Sequence, residues 1–161
     1  MKIMKLIRMQ RIIIILVAES MMISCLYAQK QWVDLGLPSG TLWASVPEED
    51  YYTYDEAVEK FGVNMPTKWQ WQELLESCSI NDLNNKEVEL VGKNGKSIII
   101  PLKGHILNNR KVHNDGTGYF RTSNSYDKQE AYYVLIQTAN VFSMPITYKE
   151  RYKMSVLLVN K

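Results

Sequence analysis

The stretch W32-V-D-L-G-L-P-S-G-T-L-W-A-S-V46 sets two tryptophans on either side of a Leu-Pro-Ser-Gly turn. Pro38 presets φ at a turn position, and Gly40 tolerates a positive φ. The spacing predicts two short strands, Trp32–Leu35 and Thr41–Val46, joined by residues 36–40. Successive side chains alternate across a strand, so Trp32 and Asp34 share one side, as do Leu42 and Ala44. Both tryptophans are expected to pack against a core and to close the first hairpin.

Everything before this stretch reads as a leader. Lys2, Lys5, Arg8 and Arg11 precede the apolar run Ile12–Val17, and Leu26-Tyr27-Ala28 forms a cleavage-site pattern. Residues 1–28 are expected to be a signal peptide, and 29–161 a single domain in a secreted, outer-surface or periplasmic location. Two other readings compete. Ser24-Cys25 after Met22-Ile23 resembles a loose lipoprotein box, which would tie the chain to a membrane through a lipid on Cys25. A retained membrane helix is opposed by Glu19, because a carboxylate at mid-membrane costs about 2.5–3.5 kcal/mol, and by a barely sufficient apolar length.

The leader also decides the charge. It holds four of the 19 Lys and Arg residues and one of the 17 Asp and Glu, leaving 15 basic and 16 acidic residues and a net charge of −1. No basic patch points to nucleic acid. Outside the leader Cys78 is the lone cysteine, so no internal disulfide forms and about 133 residues must supply a core.

Further along, Thr53-Tyr-Asp-Glu56 and Thr67-Lys-Trp-Gln70 are capping boxes, in which a hydroxyl and a carboxylate or amide satisfy each other's backbone amides. The first opens a helix to about Phe61, stopped by Gly62. The second opens Thr67–Cys78, whose Trp71, Leu74, Leu75 and Cys78 make one apolar stripe. Cys78 is therefore expected to be a small buried residue. Beyond it the period changes. Glu87–Val91 and Ser97–Ile100 flank Asn94-Gly95, which predicts a hairpin with a type I′ turn. Gly118–Thr122, Ala131–Ile136, Asn140–Met144 and Lys153–Val159 read as further strands, with Tyr148–Tyr152 a polar bridge. Helices early and antiparallel strands late argue an α+β fold.

The order of "WVDLGLPSGTLWA", "YTYDEA", "MPTKWQWQELLESC", "VELVGKNGKSIIIPLKG", "GTGYFRTSNSYDKQEAYYV" and "YKMSVLLV" resembles the Fibrobacter succinogenes major paralogous domain family, over about Trp32 to Val159. The resemblance implies the C-type-lectin-like fold shared with formylglycine-generating enzymes, in which two short helices pack on a mostly antiparallel sheet with long loops. The chain departs from the family pattern after Ala44, where Ser45-Val46 runs directly into Pro47-Glu-Glu-Asp50. It departs again at Phe120-Arg-Thr-Ser123 and Leu157-Leu158.

Little in the sequence suggests catalysis. His105, His113 and Asp115, on a loop expected after Pro101, match no zinc spacing. Asn114-Asp115-Gly116 reads as a turn. Cys78 points inward, and Ser39 lies in no nucleophile elbow. No metal, cofactor or enzymatic activity is expected, although descent from formylglycine-generating enzymes is a reading to test. Tyrosines are the abundant resource, offering an apolar face with a hydroxyl. Tyr132 and Tyr133 point to opposite faces of one strand, so at least one should be buried. The expected role is recognition of a glycan or a cell-surface protein, with a structural cell-surface or fimbria-associated subunit as the alternative. On the family's topology the ligand-binding candidates are Tyr119, Arg121, Asn124, Tyr126 and Asp127, on a loop from Tyr119 to Asp127.

Overall fold

The first hairpin forms around the Leu-Pro-Ser-Gly turn. Strands β1 (Trp32–Asp34) and β2 (Leu42–Ala44) pair antiparallel, with Trp32 opposite Ala44 and Val33 opposite Trp43. Gly40 N–H donates to Leu37 O at 2.9 Å, closing the turn at a φ of 69° that suits glycine. In this computed structural model residues 31–112, 116–138 and 141–160 are described. The leader with Cys25, and the stretch His113–Asp115, lie outside the described residues.

Helices α1 (Tyr54–Phe61) and α2 (Lys68–Ser77) begin at Thr53 and Thr67, and both capping boxes close in full. Gly62 ends α1 with φ 50°. Between the helices, Gly62–Asn64 makes one 3₁₀ turn. Trp71, Leu74 and Leu75 of α2 face the core, and Cys78 behind them is buried.

After α2, β3 (Ser79–Asp82), β4 (Glu87–Val91) and β5 (Ser97–Pro101) form an antiparallel sheet. The β4–β5 turn is not type I′. Neither Lys93 nor Asn94 has a positive φ; Gly95 alone does, at 80°. Gly95 N–H donates to Gly92 O, and Gly92 N–H to Lys96 O. This is the three-residue connection, a type I turn followed by a left-handed glycine bulge, so one residue more than expected sits in the turn.

The remaining strands are β6 (His105–Leu107), β7 (Arg110–Val112), β8 (Thr117–Ser125), β9 (Glu130–Gln137), β10 (Val141–Ser143), β11 (Ile146–Tyr148), β12 (Tyr152–Lys153) and β13 (Val159–Asn160). β8, β10 and β11 all pair with β9; β6 lies between β7 and β12; β13 joins β2. All these pairings are antiparallel, and two isolated bridges, Gly104 to Gly118 and Phe120 to Ser155, are parallel. The fold is α+β: two short helices on mostly antiparallel sheets of short strands.

Several expectations are corrected. Of the expected loop Tyr119–Asp127, residues Tyr119–Ser125 belong instead to the nine-residue β8, which pairs with β9, and only Tyr126 and Asp127 lie in the turn that follows. His105 belongs to β6 and is buried. Lys153–Val159 is not one strand; its middle makes single bridges at Met154 and Ser155. Tyr132 and Tyr133 do lie on opposite faces, yet both are half-buried.

The core gathers at one tryptophan of the opening stretch, Trp43, and one of α2, Trp71. Trp43 and Trp71 meet edge to face with centroids 5.0 Å apart, and Phe120 lies 5.3 Å beyond Trp71. Trp32 is half-buried and packs on the outside of this cluster. Ser39 is held at the turn by Glu73 of α2, whose carboxylate accepts from its N–H at 2.8 Å and its hydroxyl at 2.5 Å. The first hairpin is thereby pinned to the second helix.

Candidate functional site

The five residues singled out from sequence separate into two places. Arg121 is completely buried. Its Nε donates to Tyr52 O at 3.3 Å, and its Nη2 to Lys149 O at 3.3 Å and to Tyr152 O. Nη1 is buried without a partner. Burial pushes the guanidinium down to about 10, so it stays charged at neutral pH while stitching three segments together. Tyr119, on the same face of β8 two residues earlier, is half-buried. Its ring lies 4.3 Å from that of His105 and stacks on Tyr133 at 6.0 Å. His105 also meets Tyr152, at 5.4 Å. This is an inward cluster.

Asn124, Tyr126 and Asp127 stand elsewhere. Asn124 Oδ1 accepts the Lys68 N–H at 2.7 Å, satisfying an amide at the start of α2 that no helical carbonyl reaches. Asp127 Oδ1 accepts from the Gln129 and Glu130 amides at 2.7 Å each, shaping the β8–β9 turn. Both polar side chains are committed internally. Of the five, only Tyr126 presents a largely exposed ring, at 55%.

Tyr126 opens onto a surface that sequence reasoning missed. Its ring stands edge-on to Tyr132, centroids 5.6 Å apart. Lys68 extends its ammonium 4.0 Å from the Tyr132 centroid and 4.6 Å from that of Trp69. Trp69 is 63% exposed. Tyr132 pairs across β9–β11 with Ile146, and Glu130 with Tyr148. Cross-strand partners share a face, so exposed Ile146 and Tyr148 continue the surface. Arg151 lies 4.9 Å over the Tyr148 ring. The result is a belt of aromatic side chains from the start of α2 across the β9–β11 hairpin. Trp69 was legible as a signal: on a helix turning 100° per residue it stands about 200° from Trp71, off the apolar stripe.

Away from the belt, a cleft of about 740 Å³ lies between α1 and β6 and is lined by Tyr51, Glu56, Glu59, Lys60, Asn109 and Lys153 among others. Its charges are largely spent within the fold. Glu56 caps α1 and binds Lys153 at 2.9 Å, and Lys60 donates to the Tyr52 hydroxyl at 2.7 Å.

Cys78 is buried, and that burial raises its thiol pKa, which disfavours the nucleophilic thiolate. Among the described residues no group of three or more His, Cys, Asp and Glu side chains is placed to hold a metal ion. No helix among them is long and apolar enough to cross a membrane. No family model, curated protein or solved structure matches the chain.

Proposed function

We propose that this chain is a non-enzymatic recognition module that holds a saccharide on the aromatic belt. One observation carries the reading: Trp69, Tyr126 and Tyr132 stand together at the surface, with Trp69 and Tyr126 more than half exposed. Burying such rings is the ordinary outcome of folding, and large exposed apolar patches on a soluble domain mark binding surfaces. An exposed ring face offers a sugar its apolar side without spending a backbone hydrogen bond.

Within the same reading the module is exported, on the strength of the leader sequence, and adopts the C-type-lectin-like arrangement implied by its motifs. The α+β order, the two capped helices and the short antiparallel strands are compatible with that arrangement. The alternative of a structural cell-surface subunit would favour a flat aliphatic face. The belt is instead aromatic and interleaved with cations.

The test is a glycan array probed with the purified protein, with and without calcium. Specific binding that falls about tenfold or more in Trp69→Ala, with the circular dichroism spectrum unchanged, is the expected result. Silence on the array from a folded sample would turn the assignment toward a protein partner or a structural subunit.

A further inference from the structure

The belt holds a cation near each end, and although Asp55 and Glu150 line a cleft with Tyr148 and Arg151, neither cation is held by a carboxylate. Lys68 lies between Trp69 and Tyr132, and Arg151 lies over Tyr148. Neither makes an ion pair among the described residues. A cation on an aromatic face is attracted by the ring quadrupole but keeps its charge available on the solvent side. Tyr132 and Tyr148 are diagonal neighbours across β9 and β11, which places their backbones about 7–8 Å apart. Glu130 shares this face, cross-strand from Tyr148 and two residues from Tyr132.

We propose that the belt selects an acidic saccharide, a chain bearing uronate carboxylates, rather than a neutral one. This rests on the saccharide reading of the belt and adds its charge specificity. Sugar ring faces lie on the exposed faces of Trp69 and Tyr126, because Lys68 already covers a face of Tyr132. One carboxylate pairs with Lys68 and a neighbouring one with Arg151, while Glu130, cross-strand from Tyr148, disfavours an anion beside it. Nucleic acid fits less well. A net charge of −1 outside the leader and two isolated cations do not match a backbone with a charge on every nucleotide.

Calorimetric titration of the purified protein with a panel of uronate-bearing oligosaccharides, and with neutral oligosaccharides of equal length, tests this. The acidic ligands are expected to bind more tightly, with affinity falling as salt rises. Lys68→Gln and Arg151→Gln should each weaken the acidic ligand about three- to fivefold and weaken neutral ligands by a smaller factor, with Lys68→Arg restoring binding. Glu130→Gln should tighten the acidic ligand. Equal binding of acidic and neutral sugars, abolished by Trp69→Ala but untouched by Lys68→Gln, would overturn the charge assignment and leave the saccharide reading standing. No saccharide binding by a folded sample would remove both. Tighter binding of single-stranded DNA than of any uronate would overturn the choice of ligand class.

Discussion

Arg121 shows how far one residue's role can lie from what its neighbours in sequence suggest. Read from the sequence, it is a ligand-binding candidate on a loop from Tyr119 to Asp127. Its actual partners are the carbonyls of Tyr52, Lys149 and Tyr152, remote in sequence and brought to it only by the fold. Arg121→Met keeps most of the aliphatic volume but strands those acceptors in the interior. Leaving a buried polar group unpaired costs about 1–3 kcal/mol, and relief of the buried charge offsets part of that. A net loss of about 2 kcal/mol or more by urea denaturation is expected, and a loss under about 1 kcal/mol would refute the stitching role. His105 makes a second residue-scale case. Its Nδ1 is buried without a partner, and burial lowers its pKa below the ordinary value of about 6.5. Between that value and the lower folded one, the unfolded chain binds more protons. Stability should therefore fall as pH drops through this window and level off beneath it. The Glu56 carboxyl, held low by the Thr53 amide and Lys153, loses its contribution only at more acid pH. Melting temperatures followed from pH 7.5 to 5 should fall more for the native chain than for His105→Phe. Parallel curves would exclude His105 as the source.

Among the elements, those specified locally were legible and those specified by distant pairing were not. Both helices begin where Thr53 and Thr67 direct, and α1 ends where Gly62 directs, because a capping box and a terminating glycine act within a single turn. β6, β7 and β11 are three residues each, too short for an alternation to show, and they exist because neighbours supply their hydrogen bonds. The belt shares this limit. Trp69 announces itself by its place off the helical stripe, but its meeting with Tyr132 depends on how α2 lies beside β9. The β4–β5 hairpin separates two reasons for a glycine. Gly95 needs its positive φ and has open space around it, whereas a Cβ on Gly92 would stand 2.0 Å from the Leu35 carbonyl oxygen. Gly95→Ala should cost about 1 kcal/mol in backbone strain alone. Gly92→Ala must push two backbones apart and should cost about 3 kcal/mol, a contrast that chemical denaturation of the two variants would read directly. Equal losses would show that the turn conformation, not the contact with Leu35, dominates.

For the whole molecule the decisive pairing is between the beginning and the end of the described fold. β13 lies against β2, so residues 32–34, 42–44 and 159–160 share one sheet. Trp43 sits opposite Val159, Ala44 N–H donates to Leu158 O at 2.9 Å, and Asn64 Nδ2 donates to Val159 O at 2.9 Å. Leu157, Leu158 and Val159 are all buried in the core cluster around the two indoles. The sequence marked "WVDLGLPSGTLWA" as the signature of the domain, but not that its second strand is completed by the last residues of the chain. Each of the three apolar side chains contributes about 1.5–3 kcal/mol by burial, against a total stability of about 5–15 kcal/mol for an ordinary domain. Ending the chain after Val156 should therefore abolish cooperative unfolding, leaving a species that binds a hydrophobic dye and lacks near-ultraviolet tryptophan dichroism. Leu157→Ala alone should lower stability by about 2–5 kcal/mol while the transition stays cooperative. If the truncated chain instead melted in one sharp step with its tryptophan signal intact, β13 would be an accessory to the fold. The core would then be closed by Trp43, Trp71 and Phe120 without it.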